Sequence, residues 1–144
     1  MEEKKKELGM GWHDFMVFWR GFTGVTGIIG GIILSILSAI TFEPFGIVTG
    51  IACLALAAYS FEVKNALRDL EEGAPRKLIT YHVLAMIMDI AGAFCEFFMG
   101  PLTSYDEVDT GALVSAIIHA VIMIAINSTY YSRRRHMFED GEEE

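Results

Sequence analysis

The sequence predicts an all-α integral membrane protein, an antiparallel four-helix bundle with both termini in the cytoplasm. Three observations predict it. First, hydrophobic residues make up 53% of the 144, and mean hydropathy is +0.40. Yet 30 residues are charged, so the charges must be segregated. Second, residues 21–42, 44–61, 78–99 and 110–131 together hold only two of those charges, Asp89 and Glu96. Stretches of 18 or more nearly uncharged residues are long enough to cross a ~30 Å hydrocarbon core as helix. Third, the eleven basic residues fall on one side of these stretches. Lys4, Lys5, Lys6 and Arg20 precede or open the first span. Lys64, Arg68, Arg76 and Lys77 separate the second from the third, and Arg133, Arg134 and Arg135 follow the fourth. The loops around Glu43 and at 100–109 contain none, which puts the termini and the middle loop on the cytoplasmic side.

The same patterns place the parts in order. Residues 1–13 read as a cytoplasmic segment. Residues 14–131 form the membrane domain, with spans at about 14–42, 44–63, 78–99 and 110–131, and 132–144 form a basic, then acidic, cytoplasmic tail. The first span is too long for a secretory h-region and is expected to remain as a signal anchor. Trp12, Phe15, Phe18, Trp19 and Phe22 recur at helical spacing before it, an aromatic stripe suited to the membrane interface. Trp12, Trp19 and Arg20 are the expected anchors, with Arg20 snorkelling towards phosphates. A headgroup-binding role for His13, Asp14 and Arg20 is the sharper alternative.

Small residues recur every fourth position in the first span, at Thr23, Gly27, Gly31, Ser35 and Ala39, and the second repeats the device with Gly46 and Gly50. Close helix packing in lipid relies on such residues. Their expected role is a tight pair, either span one on span two or between copies of the chain. Pro44 fits the first turn of span two, where its missing N–H costs nothing. Gly73-Ala74-Pro75 breaks the chain before span three, and the acid-rich run from Phe138 onward is expected to be disordered.

Span three carries the chemistry. His82, Ala85, Asp89, Gly92 and Glu96 are spaced 3, 4, 3 and 4, along one seam of a helix. Asp89 sits at the middle of its span and His119 at the middle of span four, where Ser115, His119 and Asn127 share a face around Met123. An ionisable group at bilayer centre costs ~3 kcal/mol or more and normally faces a partner. Asp89 and His119 are therefore expected to meet, with His82 towards one mouth and Glu96 towards the other. One reading is a buried polar clasp that fixes helix pairing. The other is a proton or cation row.

Other functions find no footing. With an acidic balance of −8 and no basic face, nucleic acid is not an expected partner. Cys53 and Cys95 lie within apolar spans and read as small hydrophobes. There is no nucleophile–base–orienter set and no Gly-rich phosphate loop, so no catalytic residue and no enzyme is expected. Asp89 and Glu96 are ~10 Å apart along the axis, too far to share one ion, so neither metal nor cofactor is expected. The expected partners are the lipid bilayer and either further copies of the chain or another membrane protein.

Trp12-His13 followed by Phe15, the run Gly50-Ile51-Ala52-Cys53-Leu54-Ala55-Leu56-Ala57, and Gly73-Ala74-Pro75 resemble a group of short four-helix membrane proteins of gut Clostridia and related Firmicutes. That resemblance implies a bacterial plasma membrane and brings no activity with it. Some members of the group carry a Cys-rich zinc ribbon. This chain has no such cysteines, so no zinc is carried over.

Overall fold

A computed structural model describes residues 10–99 and 110–138, without the side chains of 95–99, Thr110 and Ala112. The chain is helical, with α1 at Gly11–Ile40, α2 at Pro44–Arg68, α3 at Ala74–Met99 and α4 at Thr110–Ser132, followed by a short 3-10 turn at Arg135–Met137. Four helices are long and apolar enough to cross a membrane, over Gly11–Ile40, Pro44–Arg68, Ala74–Phe94 and Leu113–Ser132. The surface agrees with that reading. Ile29, Ile33, Ile36, Leu37 and Ile40 of α1 all face outward. In water such a patch would aggregate, whereas in hydrocarbon it is the solvent-compatible surface.

The chain divides into two compact units, one of residues 1–74 with 137–144 and one of residues 75–136. The first is the α1–α2 hairpin. Gly21 lies against Lys64, Gly24 against Phe61, Gly27 against Ala57, and Gly31 against Gly50 and Leu54. Nearer the turn, Ser35 lies on Gly50 and Ser38 on Gly46. The expected ridge is therefore used within the chain, between span one and span two. Thr23, Gly27, Gly31, Ser35, Gly46 and Gly50 all take part, but the ridge ends on buried Ser38 while Ala39 is exposed. The reason is the helical period. A strict four-residue step overshoots 3.6 residues per turn and drifts round the helix, so the contact row must take three-residue steps to stay on its partner.

One polar tie crosses this hairpin. Ser60 Oγ donates to the Arg20 carbonyl at 2.8 Å, and Thr23 Oγ1 lies 3.1 Å from Ser60 Oγ. Ser60 is fully buried. Replacing it with alanine leaves the arrangement of the helices intact but removes this bond. The expected loss is about 1 kcal/mol of hairpin stability, checked by reversible unfolding in mixed micelles.

Both α1 and α2 end in the same way. Glu43 N–H bonds the Ser38 carbonyl at 2.8 Å, with Phe42 at φ 57° between them, and Glu71 N–H bonds the Ala66 carbonyl at 3.0 Å around Leu70 at φ 56°. These are left-handed helix closures that satisfy otherwise orphaned carbonyls. α2 runs past the expected end at 63 because Val63, Ala66 and Leu67 are fully buried. Beyond it, Arg68 makes a two-pronged bond to Asp69 at 2.9 and 3.1 Å. That hydrogen bond holds the Asp69 carboxyl below its ordinary range, but an exposed adjacent pair adds little stability. α3 starts at Ala74 with Pro75 in its first turn, where a proline is tolerated.

The start of α1 departs from expectation in two places. Arg20, expected as an interface anchor snorkelling towards phosphates, is only 3% exposed in the chain. Its position explains this. Arg20 lies on the same row as Gly24, Gly27 and Gly31, the row that meets α2. Phe138, expected at the edge of a disordered tail, is 3% exposed, with its ring 6.2 Å from that of buried His13. Burial of an aromatic ring offsets the entropy of ordering that short segment. Residues 139–144 of the acidic tail lie outside the described residues. In the aromatic stripe Phe15, Phe18 and Phe22 are exposed and Trp12 and Trp19 half-buried. Phe15 stacks on Trp19 at 5.9 Å, Trp19 on Phe22 at 5.5 Å, and Trp12 lies 5.3 Å from Phe15.

Candidate functional site

The second unit contains α3 and α4, whose facing surfaces leave an open groove of about 460 Å³. Four sequence-predicted residues line it together, namely His82 and Asp89 from α3 and Ser115 and His119 from α4. They arrive by simple periodicity. His82 and Asp89 are seven residues apart and Ser115 and His119 four, so each pair recurs on one face of its helix. Ala85, Met86, Ala116 and Ala120 complete the walls. The three alanines keep the space open, because no side chain longer than a methyl enters from them.

The polar groups sit at different depths in the groove. His82 is buried, 4% exposed, with the Tyr81 ring edge-on at 5.7 Å. Asp89, Ser115 and His119 are exposed on its lip. Asp89 and His119 make no hydrogen bond to each other. The two members of the expected clasp thus share a groove without a direct bond between them. The cause is again helical phase. The buried row of α4 runs through Ala120, Met123, Asn127 and Tyr131, and His119 and Ser115 fall one position to its side.

Asn127 belongs to that buried row and does not line the groove. It is fully buried, and its Nδ2 donates to the Met123 carbonyl at 2.8 Å. It lies eight residues from His119, about 12 Å along the axis, so it serves packing at the far end of α4. The Glu96 side chain lies outside the described residues. Among the described residues, no three His, Cys, Asp or Glu side chains converge in a way that could hold a metal ion. The groove can therefore do two things chemically. It can offer a carboxylate and an imidazole as hydrogen-bonding partners to something that covers it, or admit water to a row of protonatable groups.

Compared with known proteins, the chain matches no family model, no curated protein and no solved structure. The functional reading therefore rests on the groove itself.

Sequence reasoning missed the wall residues Met86, Ala116 and Ala120 and the hairpin's Ser60. The signal for Ser60 was present. Gly46, Gly50, Cys53, Ala57 and Ser60 are small residues spaced 4, 3, 4 and 3, which is the contact row of α2. Ala85 was legible on the seam of His82 and Asp89, whereas Ala116 and Ala120 carried no comparable signal, since alanine is as common on lipid faces as on groove walls.

Proposed function

We propose that the protein is a non-enzymatic component of a bacterial plasma membrane, with both termini cytoplasmic, that works by assembly. It is an oligomeric scaffold or the accessory subunit of a larger complex, its four spans form an antiparallel bundle, and the α3–α4 groove is the surface through which it joins its partner. One observation carries this reading. Asp89 and His119, each at the middle of a span, stand exposed on one groove of the isolated chain. A charged group facing hydrocarbon there costs ~3 kcal/mol, so the groove has to be covered by protein or filled with water. The eleven-to-none distribution of basic residues supports the orientation, and the resemblance to clostridial four-helix membrane proteins supports the compartment.

The first test is the mass of the purified protein in lipid nanodiscs. Particles of two or more chains support self-assembly, and a strict monomer across the accessible range of lipid-to-protein ratios overturns it.

A second reading is favoured by the volume and lining of the same groove. About 460 Å³ walled by His82, Asp89 and His119 has room for water, and a hydrated row would conduct protons or small cations, with Glu96 as its outer member. This reading predicts flux in proteoliposomes that falls to the background of empty vesicles in Asp89→Asn. Undiminished flux in that variant removes the pathway.

A further inference from the structure

A second groove lies between α1 and α2 in the hairpin unit. It encloses about 480 Å³ and is lined by Asp14, Val17, Phe18, Gly21, Phe22, Val25, Phe61 and Lys64. Its polarity changes along its length. α1 has 30 residues and is about 45 Å long, against a ~30 Å hydrocarbon core. If its C-terminal 20 residues fill that core, Gly21 marks the boundary, Asp14 stands at headgroup level, and Phe22 and Val25 lie among acyl chains. The groove thus passes from charged to aromatic and aliphatic walls in the direction a lipid molecule does.

The charged end is built rather than incidental. The Lys64 side chain lies across α1 at Gly21, where an added Cβ would stand 3.2 Å from Lys64 Cδ and 3.4 Å from Nζ. Glycine there leaves room for the lysine stem, which an added methyl would push aside by a few tenths of an ångström. Lys64 makes no ion pair among the described residues, and neither does Asp14. Asp14 is seven residues above Gly21, about 10 Å of axial rise, so the two charges do not pair directly. A group carrying an anion at one end and a hydrogen-bond-donating cation at the other bridges such a gap. One lysine and one aspartate together carry no net charge, which matches a zwitterionic headgroup and disfavours an anionic one at the Asp14 end.

We propose that this groove is a specific site for one aminophospholipid, of the phosphatidylethanolamine kind, from the leaflet on the N-terminal side of α1. Lys64 Nζ donates to the phosphate, the Asp14 carboxylate accepts from the primary ammonium, and Phe18, Phe22 and Phe61 flank an acyl chain. The site is independent of the α3–α4 groove and of the assembly reading.

The test is native mass spectrometry of the full chain in detergent with equimolar phosphatidylethanolamine, phosphatidylcholine and phosphatidylglycerol of identical acyl chains. The phosphatidylethanolamine adduct should exceed each of the others by roughly fivefold. Lys64→Gln should reduce that adduct by roughly tenfold or more, in line with loss of one charge-assisted hydrogen bond. Asp14→Asn should retain phosphatidylglycerol and lose the preference for phosphatidylethanolamine over it. Equal occupancy by all three lipids, or a preference unchanged in both variants, means ordinary boundary lipid only and overturns the proposal.

Discussion

Gly31→Leu is expected to separate α1 from α2, while Gly30→Leu, one residue away, leaves the hairpin intact. A Cβ at Gly31 would stand 2.9 Å from the Gly50 carbonyl oxygen and 2.9 Å from Leu54 Cγ, and a Cβ at Gly50 would stand 2.9 Å from the Gly31 carbonyl oxygen. The Leu54 side chain can turn aside, but the carbonyl oxygen is backbone, so no rotamer change relieves that contact and the helix axes must part. Parting them also loosens Gly27 on Ala57 and Ser35 on Gly50, because the row is continuous. Overpacking of a fitted interface typically costs 1–3 kcal/mol, and this position combines one clash on backbone and one on the Leu54 side chain with loss of adjacent contacts, so about 3 kcal/mol is expected. Gly30 meets nothing within 4 Å. There a leucine faces lipid and removes the helix penalty of glycine, about 1 kcal/mol. Reversible unfolding of both variants in mixed micelles checks the pair. Equal stability of the two would mean that the glycine row does not hold the hairpin.

That contrast also shows what the sequence could and could not convey. The helices and their approximate bounds follow from the segregation of charge, since a run such as 21–42 has no low-energy alternative to helix in lipid. The small-residue row was legible as spacing. Its assignment to a contact within the chain, rather than between copies, was not, because either surface would select the same glycines. Asp89 and His119 were legible as a pair by depth alone. Their exposure on a groove lip was not, since one step of helical phase separates the lip from the seam, and no residue near His119 fixes that phase locally. Arg20 illustrates the opposite failure. A charge beside an aromatic stripe suggests an interface anchor, but the phase of Gly24, Gly27 and Gly31 carries it inward, and ordinary expectations for arginine give no warning of that.

Asp89→Leu is expected to weaken assembly and, in the same protein, to leave the single chain as stable as before or more so. The two effects have a common origin. In the isolated chain Asp89 is exposed and bonds to no other side chain among the described residues, so its removal breaks nothing among them and spares the ~3 kcal/mol of a polar group facing hydrocarbon. In the proposed assembly the same change would delete a hydrogen-bonding partner and make the uncovered groove tolerable to lipid, so both terms favour the free chain. Measured interhelical hydrogen bonds in membranes contribute roughly 0.6–2 kcal/mol. Adding part of the relieved exposure gives about 2 kcal/mol, roughly thirtyfold in the dissociation constant. Förster transfer between labelled copies, diluted in lipid, reads the assembly, and unfolding at high dilution reads the single chain. A clasp inside one chain predicts the opposite pattern, with stability lost and assembly untouched. His119→Leu adds the second side of the cycle. If Asp89 of one copy meets His119 of another, which two spans of matching mid-depth related by a twofold axis would allow, the double variant should weaken assembly by clearly less than the two single losses combined. Full additivity would place the two residues on separate contacts and direct the search to a different partner chain.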